Sequence, residues 1–217
     1  MSSTWDSASY SDGRRRAGPR QRPRPSHSAR RSTTRTSRLI GFVIFVLLAH
    51  SLSGSLAAKV FYAKDEALRV AFPEADAIEK QTFFLTDEQV RQVEVLARAR
   101  MDSKLVAVYV GKRDQKILGY ALIDVHTVRT LPEAAMVVLS PDGKVVSTLV
   151  LAFYEPQEYL PPGRWLKQFE HKPLLRDLAV GREIVGLTGA TLTAHAITES
   201  VRKALALYQV LLAPGKR

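Results

Sequence analysis

The chain has 217 residues, 46% hydrophobic and 24% charged, the composition of a globular protein with room for one domain and flanking segments. Its formal charge of +11 suggests a nucleic-acid binder, but ten arginines crowd into residues 1–38 against two acids, Asp6 and Asp12. Beyond them stand 22 basic and 19 acidic residues, so the body is near neutral and nucleic acid is not an expected partner. The chain contains no cysteine, which excludes a disulfide framework, thiolate ligation of zinc or iron–sulfur clusters, a lipoprotein-type anchor and thiol catalysis.

Residues 1–38 are rich in Ser, Thr, Arg, Pro and Gly and nearly free of aliphatic side chains. Burial there cannot offset the entropy of ordering, so the segment is predicted to be a disordered basic tail. Residues 39–58, LIGFVIFVLLAHSLSGSLAA, carry no formal charge. As a helix rising about 1.5 Å per residue they would span roughly 30 Å, the thickness of a bilayer's hydrocarbon core. Arg38 and the arginines before it place the N-terminus in the cytoplasm by the positive-inside rule. Three readings are open: a retained transmembrane anchor held in membrane lipid, a signal peptide with Ser55-Leu56-Ala57 as a small-residue cleavage site, or a buried soluble helix, which the basic tail disfavours. The long basic region favours the anchor. Under either of the first two, residues 59–217 are predicted to be exported, as an extracytoplasmic (periplasmic) domain on a single-pass membrane protein.

In that domain Asp65–Phe72 reads as a short amphipathic helix halted by Pro73. Thr86-Asp87-Glu88-Gln89 has capping-box spacing and opens a helix to about Arg100. Leu105–Val110, Ile117–Val128, Ala134–Leu139 and Val145–Phe153 are β-rich runs. Lys112-Arg113-Asp114-Gln115 and Ser140-Pro141-Asp142-Gly143 are the turns between them. Adjacent strands joined by short turns predict an α+β fold, an antiparallel sheet with flanking helices. A loop from Tyr154 to Gly163 follows, then a short helix over Arg164–Glu170 and a strand-like Glu183-Ile184-Val185. The last helix, about Thr193–Leu212, carries the apolar stripe Ile197, Val201, Leu205, Tyr208 and Leu212 and ends at Pro214-Gly215.

Between that strand and that helix lies Gly186-Leu187-Thr188-Gly189-Ala190-Thr191-Leu192-Thr193. Gly189 and Ala190 allow a ligand or another backbone to approach closely. Thr191 falls at the mouth of the helix, where unpaired N–H groups and the positive end of the macrodipole favour a phosphate. Thr193 is the candidate N-cap, and the whole run also reads as an ordinary capped helix start.

Thr188-Gly189-Ala190-Thr191 matches the (S/T)GAT signature, and the chain resembles the FMN-binding domain family over about residues 100–212. That family includes the flavin-carrying subunits of the Rnf complex and of the sodium-pumping NADH:quinone oxidoreductase. The resemblance implies FMN joined to Thr191 by a phosphoester that an FAD-dependent FMN transferase installs, with Thr188, Gly189, Ala190 and Thr193 beside it. It implies relay of electrons in a membrane redox chain, with quinone, flavin, haem or iron–sulfur proteins as partners. Two departures stand out. Many relatives place an acidic residue six positions before the acceptor, where this chain has Val185, with Glu183 two residues earlier. Relatives also carry an acidic-Thr-Pro-Gly loop after the hairpin, whereas here Glu155-Pro156 opens a segment that resembles the NosR-type regulators. Tyr154, Tyr159 and Trp165 suit the lining of an isoalloxazine ring and suit equally the packing of the loop on the sheet. A structural or flavin-responsive accessory subunit is the alternative function. An enzyme with its own substrate ranks third, because no second constellation of acid–base residues is visible. His126 and His195 have no metal-ligand partner at useful spacing and are read as ordinary core or surface residues.

Overall fold

The computed structural model describes residues 59–215, so the predicted tail and apolar segment lie outside the described residues. From the N-terminus the elements are β1 (Lys59–Val60), α1 (Lys64–Ala71), β2 (Ala77–Phe84), α2 (Asp87–Ala97), β3 (Leu105–Arg113), β4 (Lys116–Thr127), β5 (Pro132–Leu139) and β6 (Val145–Phe153). A 3-10 turn (Gln157–Tyr159) follows, then the one-turn helix α3 (Gly163–Leu166) and a second 3-10 turn (Lys167–Phe169). The long α4 (Thr191–Leu207) closes the chain and widens into a π-helix over Tyr208–Leu212. The six strands make one antiparallel sheet in the order β1-β6-β5-β4-β3-β2. The predicted α+β architecture is therefore present.

Alternation along the strands sorts the side chains onto two faces. Val106, Val108 and Val110 turn to one face, with Leu122, Val137 and Leu139 from the neighbouring strands, and meet Ile197, Val201 and Leu205 of α4. Helix α2 packs against α4 on that side and adds Val93 and Ala97. The opposite face carries Ala121, Met136, Val138 and Leu151, which lie under Ala67 and Leu68 of α1 and its C-cap Phe72. Gly111 and Gly119 face each other across β3 and β4, and a Cβ on Gly111 would lie 2.6 Å from the Phe72 ring. The two missing side chains make the seat for that ring.

Local signals account for the ends of several elements. The Thr86 hydroxyl accepts from the Gln89 amide at 3.2 Å while the Gln89 side chain accepts from the Thr86 amide at 2.9 Å, a complete capping box. The β3–β4 turn has Asp114 and Gln115 at φ 48° and 66°, the left-handed pair of a tight hairpin turn. The β5–β6 turn closes with Gly143 donating to the Ser140 carbonyl at 3.0 Å.

Four expectations need correction. Strand β2 was not anticipated, because as an edge strand it exposes most of its length and carries little apolar alternation. The Arg164–Glu170 helix is instead one α-turn followed by a 3-10 turn. Glu183–Val185 forms no strand; Ile184 makes an isolated parallel bridge to Val180. The last helix begins at Thr191, two residues before the expected Thr193. Among the described residues no helix is long and apolar enough to cross a membrane.

Candidate functional site

Helix α4 runs antiparallel to β4, since Ser200 bonds to Asp124 and, two turns on, Tyr208 packs on Tyr120. Its N-terminus therefore points to the end of the sheet where β4 passes into β5 and β6 runs into the Tyr154 loop. The approach to that N-terminus is a tight turn, Leu187-Thr188-Gly189-Ala190, closed by the Ala190 amide on the Leu187 carbonyl at 3.0 Å. Gly189 holds φ 81° at its third position, which defines a type II turn and favours glycine there. Ala190 is the N-cap residue and is buried, and no side chain caps the helix. The first-turn amides are left without an intrahelical acceptor.

The turn brings the signature residues together but sorts them. Thr188, Gly189 and Thr191 are exposed, whereas Ala190 and Thr193 are buried. Thr193 is the third residue of the helix and points into the core, so it cannot cap, because a cap lies outside the helical residues it serves. That leaves Thr191 as the exposed hydroxyl on the first helical turn.

The segment before the turn is clamped from α3 and the 3-10 turn after it. The Trp165 indole donates to the Val185 carbonyl at 2.7 Å, and the Val185 amide donates to Gln168 Oε1 at 2.8 Å. Trp165 is buried and meets Phe169 edge-on with ring centres 5.4 Å apart. The Val185 side chain is 70% exposed, and Glu183 reaches Lys172 at 2.8 Å rather than the turn. Glu155 lies at the start of the Tyr154–Gly163 loop. Its Oε1 accepts from three successive amides, Arg129, Thr130 and Leu131, at 2.8–3.0 Å, tying the loop to the β4–β5 connection. Those amide bonds, led by Thr130, hold its carboxyl below the ordinary value against the cost of burial. The Arg129 guanidinium rests over the Tyr159 ring at 5.2 Å, and Tyr154, at the start of the same loop, is exposed.

Arg202, which is buried, was not singled out in the sequence, and the part-buried His126 was read only as an ordinary core or surface residue. Arg202, on α4, donates to the carbonyls of Leu96, Ala97, Leu175 and Leu178 at 2.6–3.1 Å. It closes the C-terminus of α2. His126 stands between Asp124, 3.2 Å from Nδ1, and Glu133, 3.1 Å from Nε2, and Ser200 Oγ touches both Asp124 and His126. Burial disfavours the imidazolium, but the flanking carboxylates outweigh it and push His126 up to about 9. Burial also raises Glu133, while the hydrogen bonds from His126 and Ser200 keep Asp124 low despite burial. Only the i, i+2 pair Asp124 and His126 on one strand face was legible; Ser200 is 76 residues away. No group of three or more acids or histidines among the described residues is arranged to hold a metal ion.

The arrangement is an α+β domain that presents one threonine hydroxyl on an uncapped helix N-terminus. Compared with known proteins, the chain is 27% identical over 125 residues, half its length, to a component of the Na(+)-translocating ferredoxin:NAD(+) oxidoreductase complex of Acetobacterium woodii. The match takes in 58% of that relative's length. No protein-family model matches the chain.

Proposed function

We propose that the chain is a membrane-anchored flavoprotein electron carrier, with FMN esterified to Thr191. The observation that carries this reading is the exposed Thr191 at the uncapped start of α4, directly after the type II turn at Gly189. A phosphodiester there gains roughly 0.3–1 kcal/mol from the helix N-terminus at an exposed site. The likeness to a component of a ferredoxin:NAD(+) oxidoreductase complex supports service in electron transfer within a membrane complex. A bound FMN accepts one or two electrons, which suits relay between a quinone or flavin and a one-electron haem or iron–sulfur protein. The Tyr154–Gly163 loop, at the same end of the sheet as the α4 N-terminus, is the candidate docking surface for those partners.

The test is coexpression of the full chain with an FAD-dependent FMN transferase, followed by intact mass and peptide mapping. FMN on Thr191, lost in Thr191→Ala and kept in Thr188→Ala, is the expected result. FMN mapped to Thr188 would overturn the assignment. Flavin that binds but leaves on denaturation would keep the carrier and remove the ester, pointing to Val185 as the departure that matters. A chain that assembles into its complex and works without flavin would favour the accessory-subunit reading. Export is tested separately, by a periplasm-dependent reporter fused after Arg217. Activity from a cytoplasm-only reporter there would refute it.

A further inference from the structure

The β3–β4 ladder runs from Arg113↔Lys116 to Val108↔Leu122 and stops. Strand β3 nevertheless stays paired with β2 back to Leu105, and β4 with β5 on to Thr127. The two neighbours therefore part inside an otherwise continuous sheet. On the β3 side the Ser103 hydroxyl accepts from the Leu105 amide at 3.0 Å and lies 3.4 Å from its carbonyl, standing in for the absent strand contact. A cavity of about 270 Å³ opens in the gap, walled by Leu105–Ala107 and Leu122–Val125 and floored by Ser200, Lys203, Ala204 and Leu207 of α4.

The chemistry of the wall is unequal. Ser200 spends its proton on Asp124 at 2.6 Å, and the same Asp124 oxygen also meets His126. Lys203 is only 7% exposed, and its ammonium lies 3.5–3.8 Å from Glu199, Asp124 and Asp102, at ion-pair rather than hydrogen-bond range. It is the charged donor on this wall, with the Ser103 hydroxyl the other side-chain donor. Three carboxylates already surround it, so an anionic ligand would add a fourth negative charge. A neutral acceptor would not. Apart from Met101 and the Ser103 hydroxyl the remaining lining is aliphatic, and a gap between two parted strands favours a flat ring over a bulky one.

We propose that this cavity binds a small, flat, mostly apolar molecule whose carbonyl oxygen accepts from Lys203, the chemistry of a quinone headgroup. It lies apart from the Thr191 ester, since Ser200 is nine residues, about 13.5 Å, further along α4. The separation places the ester, not the whole flavin, outside the cavity, so the test is made on a chain that cannot form the ester. It is tested on the full-length Thr191→Ala chain in detergent, which carries no esterified flavin to react with the probe. The readout is the methyl NMR signals of Val106, Leu122, Val137 and Leu207, titrated with 2-methyl-1,4-naphthoquinone and, in parallel, with 2-methylnaphthalene. Saturable shifts at those methyls are expected, at least tenfold tighter for the quinone than for the hydrocarbon. Lys203→Met should erase that difference while leaving hydrocarbon binding in place. Absence of saturable shifts, equal affinity for the two probes on the unsubstituted cavity, or a Lys203→Met chain that still prefers the quinone would each overturn the proposal. The two-probe comparison needs no cavity variant, so a poorly folded Lys203→Met chain does not blunt it.

Discussion

At the scale of single residues, stability rests on charges placed where the sequence reads as an ordinary polar helix face. The Arg202 guanidinium is buried among four carbonyl oxygens, two of them at the C-terminal end of α2, where the macrodipole is negative. Burial lowers its pKa, yet a guanidinium remains charged. Arg202→Met strands those carbonyls and should cost about 3 kcal/mol in urea unfolding. A loss under about 1 kcal/mol would mean that water takes over the carbonyls. His126 makes a different prediction. Its folded-state pKa of about 9 stands above the ordinary 6.5, so its contribution is fully present below about 6.5 and is lost as pH rises through about 9. The raised Glu133 acts in the same sense from about 4.5 upward, and the lowered Asp124 acts in the opposite sense, losing its contribution below about 3.8. Denaturant midpoints should therefore fall between pH 6.5 and 9, and His126→Gln should flatten that slope. An unchanged slope in the variant would assign the effect to another group.

Among the elements, α2 depends on its capping box, and Thr86→Ala should cost about 1 kcal/mol by the same measurement. That box was fully legible before the structure, as was β6, read as Val145–Phe153 and found with those bounds. Both are specified by neighbours in sequence: a hydroxyl three residues from an amide, and an apolar run that starts just after a Pro-Asp-Gly turn. The stripe of α4 was legible for the same reason, and Ile197, Val201, Leu205, Tyr208 and Leu212 are all buried. What failed depended on distant partners. Strand β2 is held by its pairing with β3 rather than by its own pattern. Thr193 reads as a cap because threonines suit caps, but the turn at Gly189 starts the helix earlier and rotates Thr193 inward. The Trp165 bond to Val185 spans 20 residues, and nothing local to either announces it.

Across the whole described domain, one sheet is covered unequally. Helices α2 and α4 and the loop after β6 form the larger core, while α1 alone covers the other face. Phe72 carries much of that second contact, seated between Gly111 and Gly119. Phe72→Ala should cost about 3 kcal/mol, as large aromatic deletions do, and the body should still unfold in one calorimetric transition. Two resolved transitions would show that the α1 face melts on its own.

The strand order also sets a timetable. From β3 to β6 every strand pairs with its predecessor in sequence, so the meander can assemble as the chain emerges. Strand β1 is the exception, because Lys59 pairs with Phe153 and Val60 with Ala152. The earliest described residues to be synthesised are thus the last strand to find a partner, and until then the outer edge of β6 stays open to any passing chain.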